Sequence, residues 1–402
     1  MSRAGSQEQN FLHLLAALRP YWRREAGLPA RIQALLSGNR AFGSRDRRLY
    51  RELIYTTLRY LPWIEPLLDT EPDRAAQAAA WLAAETSATQ AFRAALLGDW
   101  PPCPPTLADR AAFLQASASL LPAWFHEHCP EAFEPAQTEA LLARAPLWLR
   151  EQGLDAGIAT REFDALGWPW RRSETLASAL KLTADVDVTK SEAYRQGHIE
   201  VQDLGSQLIL ASIGLAPGGD WLDACAGAGG KTLQLASLLG PAGRIDAHDV
   251  RPAALAELRI RAQRAGLDTI TTITTAPTRT YDGVLVDAPC SGTGTWRRAP
   301  HLKWTTTPAQ IEAAAKQQLA LLLDFSHNVR PGGRLVYATC SLSQHENGDV
   351  LTAFLAARPE FSPEPFATTF GFTPQAGGFT ILPARHDTDG FFVASLRRRP
   401  GS

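Results

Sequence analysis

The chain has 402 residues, of which 45% are hydrophobic and 20% are charged, and its formal net charge is −1. These are ordinary values for globular proteins, so they exclude an intrinsically disordered chain. No stretch approaches the ~20 apolar residues of a membrane-spanning helix, and the N-terminal residues lack the apolar core of a signal peptide. We therefore expect a cytoplasmic protein of two or three domains with no membrane partner.

The cysteines are five in number and show no C-x-x-C spacing; they are Cys103, Cys129, Cys225, Cys290 and Cys340. An odd count without paired spacing favours neither a disulfide framework nor a zinc site. Reduced thiols and no bound metal are the prediction.

Residues 1–143 are rich in alanine and leucine at helical spacing, which predicts an all-helical domain. Within it, the stretch from Arg40 to Leu61 predicts one amphipathic helix with Ser44 as its N-cap. Its apolar face is predicted to consist of Leu49, Leu53, Leu58 and Leu61.

The positive charge of the chain is concentrated at its start. Residues 1–60 contain 11 arginines against four acidic residues, a local excess of seven positive charges. Arg47, Arg48 and Arg51 are predicted to lie on the solvent face of the helix. Two interpretations remain open, an ordinary solvated surface and a patch that contacts phosphates.

The rest of the chain changes pattern twice. Residues 144–200 contain short mixed elements, which predicts a small α+β module. In residues 201–402 strands alternate with helices, which is typical of a doubly wound, mostly parallel α/β sheet. We expect the chemistry to lie in this last domain.

A glycine-rich turn follows the first predicted strand of that domain. Gly227, Gly229 and Gly230 would let the backbone approach a ligand closely, and Lys231 would begin a helix with free N–H groups. Asp249 ends the next strand 20 residues after Gly229, a spacing that suits hydrogen bonds to ribose hydroxyls.

The turn does not match other nucleotide motifs. Gly227-Ala228-Gly229-Gly230 departs from the dinucleotide fingerprint G-x-G-x-x-G, and the spacing to Lys231 is too short for a P-loop. S-adenosylmethionine, which has one ribose and no phosphate, fits better. The alternative is a turn that only closes a strand–helix corner.

Two similar segments each place a cysteine and a serine after a buried strand. They are residues 281–298, which contain Cys290, and residues 332–342, which contain Cys340. A single cysteine at such a place is usually a small buried hydrophobic residue. Two of them at the ligand-binding ends of strands, one preceded by Asp287, favour a chemical role. The order of a thiol protease and the G-x-S-x-G elbow are both missing, so acyl transfer is not favoured.

Several motifs together resemble the RsmB/Sun-type (NOP2/Sun family) RNA cytosine-5 methyltransferases. The motifs are DACAGAGGKT (223–232), DAPCSGTG (287–294), RRAPHLKW (297–304) and YATCSLSQHEN (337–347), with GSRDRRLYRELIY (43–55) and DVTKSEAYRQGHIEVQDLGSQL (187–208) before them. The resemblance implies a Rossmann-like class I methyltransferase domain, preceded by an all-helical NusB-like domain and a small α+β linking module. It also implies a monomer that uses S-adenosylmethionine to methylate RNA, with 16S ribosomal RNA as the expected substrate.

The resemblance also assigns roles. Cys340 would add to carbon 6 of the cytosine, Cys290 would assist release of the product, and Asp287 would hydrogen-bond the cytosine edge. The implied cofactor residues are Cys225, Ala226, Gly227, Ala228, Gly229, Gly230, Lys231, Asp249 and Asp287.

The sequence departs from the family pattern at two places. Gly227-Ala228 stand where the family usually has alanine and proline, and the segment after the third strand offers no acid for the adenine before Asp282. Ser343 and Glu346 have the spacing of a capping box, which predicts that Glu346 starts a helix.

Two other functions stay open. Methylation of an exocyclic amine typically uses an Asn/Asp-Pro-Pro-aromatic motif, which Asp287-Ala288-Pro289-Cys290 does not match. A ribosome-assembly factor with this fold would bind RNA with little turnover.

Overall fold

A computed structural model describes residues 2–153, 157–183 and 185–401. The chain forms two compact units. The first comprises the described residues up to Arg144 together with Thr295–Thr307, and the second comprises Ala145–Gly294 and the residues from Pro308 onward. The predicted boundaries after residues 143 and 200 stay predictions. No helix within these described ranges is long and apolar enough to cross a bilayer.

The first unit is helical. Its helices are α1 (Arg3–Leu18), α2 (Leu28–Gly38), α3 (Ser44–Arg59), α4 (Leu61–Ile64), α5 (Leu67–Thr70), α6 (Pro72–Leu82), α7 (Gln90–Leu97), α8 (Leu107–Leu114) and α9 (Pro135–Leu142). The four leucines of the predicted apolar face are buried, as expected, but the predicted single helix ends at Arg59 and Leu61 begins the separate short helix α4. The predicted cap is displaced by one residue, because Gly43 is the N-cap and Ser44 is the first helical residue.

The segment Thr295–Thr307 completes the core of this unit. Trp304 packs against the hydrophobic cluster, and its indole N–H donates to the carbonyl of Leu58 at 2.6 Å. The buried Lys303 amine donates to the carbonyls of Arg59 at 2.8 Å and Leu120 at 3.2 Å. Burial holds the pKa of Lys303 well below its usual range.

The second unit begins with a four-stranded antiparallel sheet of order β2-β3-β1-β4. Its elements are β1 (Leu147–Glu151), α10 (Ile158–Ala165), β2 (Trp170–Arg172), β3 (Ala179–Leu182), α11 (Glu192–Arg195) and β4 (Ile199–Val201). Trp148 of β1 ties this sheet to the rest of the unit, since its indole donates to the carbonyl of Asp387 at 2.8 Å.

A larger, eight-stranded mixed sheet follows. The elements are α12 (Leu204–Ser212), β5 (Gly219–Asp223), α13 (Gly230–Leu239), β6 (Gly243–His248), α14 (Pro252–Arg264), β7 (Ile270–Ile273), β8 (Tyr281–Asp287), α15 (Leu302–Thr305, in the first unit), α16 (Pro308–Ser326), β9 (Val329–Thr339), α17 (Gly348–Ala357), β10 (Phe361–Pro363), β11 (Gly378–Ile381), α18 (Pro383–His386) and β12 (Phe391–Arg398).

The strand order confirms the predicted Rossmann-like α/β fold. Strands β7-β6-β5-β8-β9 are parallel, and β12 joins β9 antiparallel, with β10 and β11 paired to β12. The chain runs outward from β5 to β7 and then returns to β8 on the other side of β5. The crevice at this reversal, at the carboxyl ends of the strands, is where such sheets bind ligands.

The central strands pack too tightly for a side chain at one position. Gly283 of β8 pairs with Trp221 of β5, and a Cβ built on Gly283 would lie 2.4 Å from the indole ring. Real Cβ atoms do not approach other atoms this closely, so the glycine is required by its neighbour.

Replacing Gly283 with alanine should therefore lower the free energy of unfolding of the second unit by about 1–3 kcal/mol. Denaturant unfolding followed by tryptophan fluorescence measures this change. Gly38→Ala is the control, because a Cβ there meets nothing within 4 Å. Equal stability of the two variants would contradict the packing argument.

Candidate active site

A cavity of about 1080 Å³ lies at the carboxyl ends of β5, β6, β7 and β8. This volume is sufficient for a nucleoside-sized ligand. After β7, where the sequence offers no acid, Ala276, Pro277 and Thr278 form the wall. Val250, Leu321 and Phe325 add apolar surface.

The glycine turn after β5 forms one side of the cavity. Gly227 and Gly229 have φ angles of 53° and 90°, a left-handed backbone that favours glycine. A Cβ on Gly229 would also lie 2.7 Å from Leu258 Cγ. The glycines therefore allow the turn to bring α13, with its free N–H groups, against the cavity.

Asp249 follows β6 and holds the turn in place. One of its oxygens accepts from the backbone N–H of Gly227 at 2.8 Å, and both bind the Arg251 guanidinium at 2.9 Å. Hydrogen bonding by Arg251 lowers the pKa of Asp249 to about 2, so the carboxylate is charged at neutral pH.

Two further aspartates end β5 and β8. Burial raises the pKa of Asp223 to about 7, although the Thr232 hydroxyl donates to it at 2.7 Å. Asp287 instead binds the Lys231 amine at 2.8 Å. Burial lowers the pKa of the Lys231 amine, but the charge and the hydrogen bond of Asp287 raise it by more. The pKa is therefore raised overall, and Lys231 and Asp287 form an ion pair.

The loops after β8 and β9 bring two cysteines together. The sulfur atoms of Cys290 and Cys340 are 3.2 Å apart, and both thiols are free. This distance is well beyond the ~2.05 Å of a disulfide bond. The two side chains therefore share a hydrogen bond.

The two thiols differ in acidity. A hydrogen bond from Cys290 lowers the pKa of Cys340 below its ordinary value. The same hydrogen bond is the largest cause that raises the pKa of Cys290 well above its ordinary value, and burial is the second. The two directions make Cys340 the more acidic thiol of the pair.

Glu346 has a different place from the one predicted. It ends a short 3₁₀ turn, and Ser343 makes no side-chain capping bond. The carboxylate is buried and instead accepts from the hydroxyls of Ser291 and Ser341, the residues that follow the two cysteines. No local sequence pattern indicated this shared partner, because Ser291 and Glu346 are 55 residues apart.

The structure brings most of the predicted site residues together. All the predicted cofactor residues except Gly229 line the cavity, and Gly229 supports the turn from behind. In the helical unit, Arg48 and Arg51 are exposed, whereas Arg47 is half-buried. No group of three or more potential metal ligands occurs within the described ranges.

Comparison with known proteins places this site in a family. Residues 212–397 match the model of the family described as 16S rRNA methyltransferase RsmB/F. The ribosomal RNA small subunit methyltransferase B of Citrobacter koseri is 30% identical over 309 residues, which cover 72% of this chain and 69% of that protein. The chain belongs to the RsmB/Sun methyltransferase family.

Other relatives agree. The probable ribosomal RNA small subunit methyltransferase B of Synechocystis is 36% identical over 226 residues, 52% of this chain and 50% of that protein. A solved methyltransferase homologue from Pyrococcus horikoshii is 25% identical with a TM-score of 0.59, covering 68% of this chain and 93% of that one. The chain spans half to about two thirds of the length of the first curated relatives. The family uses S-adenosylmethionine, which confirms the predicted cofactor.

Asp249→Ala should weaken S-adenosylmethionine binding by about tenfold or more, since it removes both an acceptor for the ribose and the tether of the turn. Isothermal calorimetry measures the affinity. Asp220→Ala is the matched control, because Asp220 pairs with Arg279 and does not line the cavity. Unchanged affinity of the Asp249 variant would remove this residue from the site.

The thiol pair predicts a pH effect that needs no substrate. Because the pKa of Cys340 is lowered, its alkylation by iodoacetamide should begin at lower pH than that of an ordinary cysteine. Cys290→Ala removes the donor, so the alkylation profile of Cys340 should move to higher pH. Peptide mass spectrometry gives the rates, and Cys103→Ala should leave the profile in place. No shift in the Cys290 variant would show that the thiols are not paired in solution.

Proposed function

We propose that this protein transfers a methyl group from S-adenosylmethionine to carbon 5 of a cytosine in 16S ribosomal RNA, through a covalent bond between Cys340 and the base. The observation that carries the proposal is the pair of unequal thiols 3.2 Å apart beside Asp287. A cytoplasmic, monomeric enzyme is part of the same proposal.

The cavity residues fit the cofactor. The turn from Cys225 to Lys231 gives close backbone approach, Asp249 is a charged acceptor for ribose hydroxyls, and the wall after β7 is suited to an uncharged adenine ring. When bound there, S-adenosylmethionine supplies a sulfonium methyl group to the electron pair that develops on carbon 5.

Cys340 begins the reaction. Carbon 5 of cytosine is a weak nucleophile, so the Cys340 thiolate adds to carbon 6, and the electrons of the 5,6 double bond move to carbon 5. Asp287 is held by Lys231 at 2.8 Å, which supports its proposed role as a hydrogen-bond acceptor for the cytosine amine. The target base must be unstacked to reach the thiolate, which favours loops or opened helices.

Cys290 completes the reaction. Once Cys340 is bonded to carbon 6, its sulfur no longer carries a negative charge. The main cause that raises the pKa of Cys290 is then removed. Cys290 can then lose its proton to solvent and accept the proton of carbon 5. The carbon–hydrogen electrons restore the double bond and the carbon–sulfur bond breaks. This leaves Cys340 as thiolate and Cys290 as thiol, the state of the free pair.

The helical unit provides a surface for RNA in this proposal. Arg48 and Arg51 project from α3 into solvent, and Arg47 is half-buried beside them. Their charges can neutralise phosphates, as the family's NusB-like domain is expected to do. Neither alternative function explains the thiols, because amine methylation requires no thiolate and an assembly factor requires no paired cysteines.

The two cysteines should behave differently with RNA. Cys340→Ala should abolish methyl transfer and any covalent protein–RNA complex, because no carbon–sulfur bond can form. Cys290→Ala should allow addition but slow elimination, so a denaturant-resistant complex should accumulate on a gel. Cys103→Ala is the control. A complex that forms with Cys340→Ala but not with Cys290→Ala would reverse the roles, and methylation by both variants would refute the covalent mechanism.

Replacing Arg47, Arg48 and Arg51 together with glutamine should weaken RNA binding. The slope of log affinity against log salt should fall by about 0.7 for each phosphate contact that is lost. Fluorescence anisotropy at several salt concentrations measures it. The control replaces three exposed cations of the second unit, Arg171, Lys316 and Arg330, with the same loss of charge. Equal slopes for the two triple variants would leave α3 as an ordinary solvated surface.

A further inference from the structure

Glu346 is a buried acid whose hydrogen-bond partners lie on both cysteine loops. Its side chain is fully buried, and the groups that donate to it are uncharged. They are the Ser291 N–H at 2.8 Å, the Ser341 hydroxyl at 2.6 Å, the Gln318 amide at 3.0 Å and the Ser291 hydroxyl. A buried carboxylate whose hydrogen-bond donors are all uncharged is costly, and these four hydrogen bonds must offset that cost.

The carboxylate joins the two loops directly. One oxygen accepts from both serine hydroxyls, so the residue after Cys290 and the residue after Cys340 meet at a single atom. Gln318 of α16 extends the connection, because its amide donates both to Glu346 and to the Pro289 carbonyl at 3.0 Å. Glu346 is therefore one of the links between the loops, beside the direct hydrogen bond between Thr293 and Ser341 at 2.9 Å.

The charge of Glu346 also acts on Cys290. The pKa of Cys290 is raised first by its hydrogen bond to Cys340 and by burial, and the Glu346 charge raises it further. Other titratable groups that face the pair are Lys231, Asp287, Tyr337 and Asp389. Among these acids, Glu346 is the one that hydrogen-bonds to both cysteine loops.

We propose that Glu346 is the positioning residue of the thiol pair: it holds the two loops at hydrogen-bonding distance and keeps the proton on Cys290, so that Cys340 is the nucleophile. The importance of Glu346 for catalysis rests on the proposed covalent mechanism. Its effect on the two thiols does not. It differs from a purely structural role because the Glu346 charge adds to the causes that raise the pKa of Cys290.

Glu346→Gln separates charge from shape. The amide has nearly the same volume, and serine hydroxyls can accept as well as donate, so the loops can stay joined while the charge is lost. Alkylation of Cys290 should then begin at lower pH, with about a tenfold higher rate at a fixed pH for each unit by which its pKa falls. Glu346→Ala should also loosen the loops, which then stay joined only by direct bonds such as that of Thr293 to Ser341, so the profile of Cys340 should move to higher pH.

The control is Glu364→Gln, which changes a partly buried carboxylate elsewhere in the same unit that pairs with Arg334 and Arg397. It should lower stability without moving either alkylation profile. Thermal unfolding of every variant identifies loss of fold, and Glu346→Gln tests the proposal even where Glu346→Ala does not fold. A folded Glu346→Gln protein with both profiles unchanged would overturn the proposal.

The same variants distinguish this proposal from the proposed function. Alkylation requires neither RNA nor cofactor, so shifted profiles support the role of Glu346 even if the native protein forms no RNA adduct. An adduct in the native protein that forms about tenfold more slowly with Glu346→Gln, but at the native rate with Glu364→Gln, supports both. An adduct that forms at the native rate with Glu346→Gln would overturn its part in catalysis.

Discussion

The parallel pairing of β8 with β9 is the constraint on which the site depends. In this pairing Asp287 lies opposite Ala338, so both strands end at the same edge and both loops leave in the same direction. Neighbouring strands are about 4.8 Å apart, and two short side chains placed just beyond them can meet. Antiparallel pairing would have sent the loops to opposite edges. The tight contact between Gly283 and Trp221 one strand away keeps this part of the sheet closely packed.

Three aspartates at the same edge show how environment decides charge. Arg251 keeps Asp249 ionised, and the buried Lys231 pairs with Asp287. Burial beneath the turn raises the pKa of Asp223 to about 7. The residue type and its position relative to a strand are similar in all three. What differs is the nearest cation and the access of water. One edge of the sheet thus contains a charged carboxylate, an ion-paired carboxylate and a partly neutral one.

Much of the fold and the site follows from local pattern. Apolar runs followed by turn residues predicted the strands, and two cysteines after such runs were placed at the ligand-binding ends of the sheet. Glu346 could not be assigned in this way, since its spacing from Ser343 also fits a local cap, whereas its partner Ser291 is 55 residues distant. The half-buried state of Arg47 and the cap at Gly43 depend on tertiary packing in the same manner. Sequence pattern thus predicts which elements form, but hydrogen bonds between distant loops require coordinates.

The segment Thr295–Thr307 affects the order in which the protein can fold during synthesis. The helices up to Arg144 leave the ribosome first, but the unit they form is discontinuous in the chain. The carbonyls of Leu58, Arg59 and Leu120 receive their Trp304 and Lys303 donors only after Ala145–Gly294 has been translated. The core of the helical unit is therefore completed only after part of the second unit has been translated. No single cut in the polypeptide releases the helical unit intact.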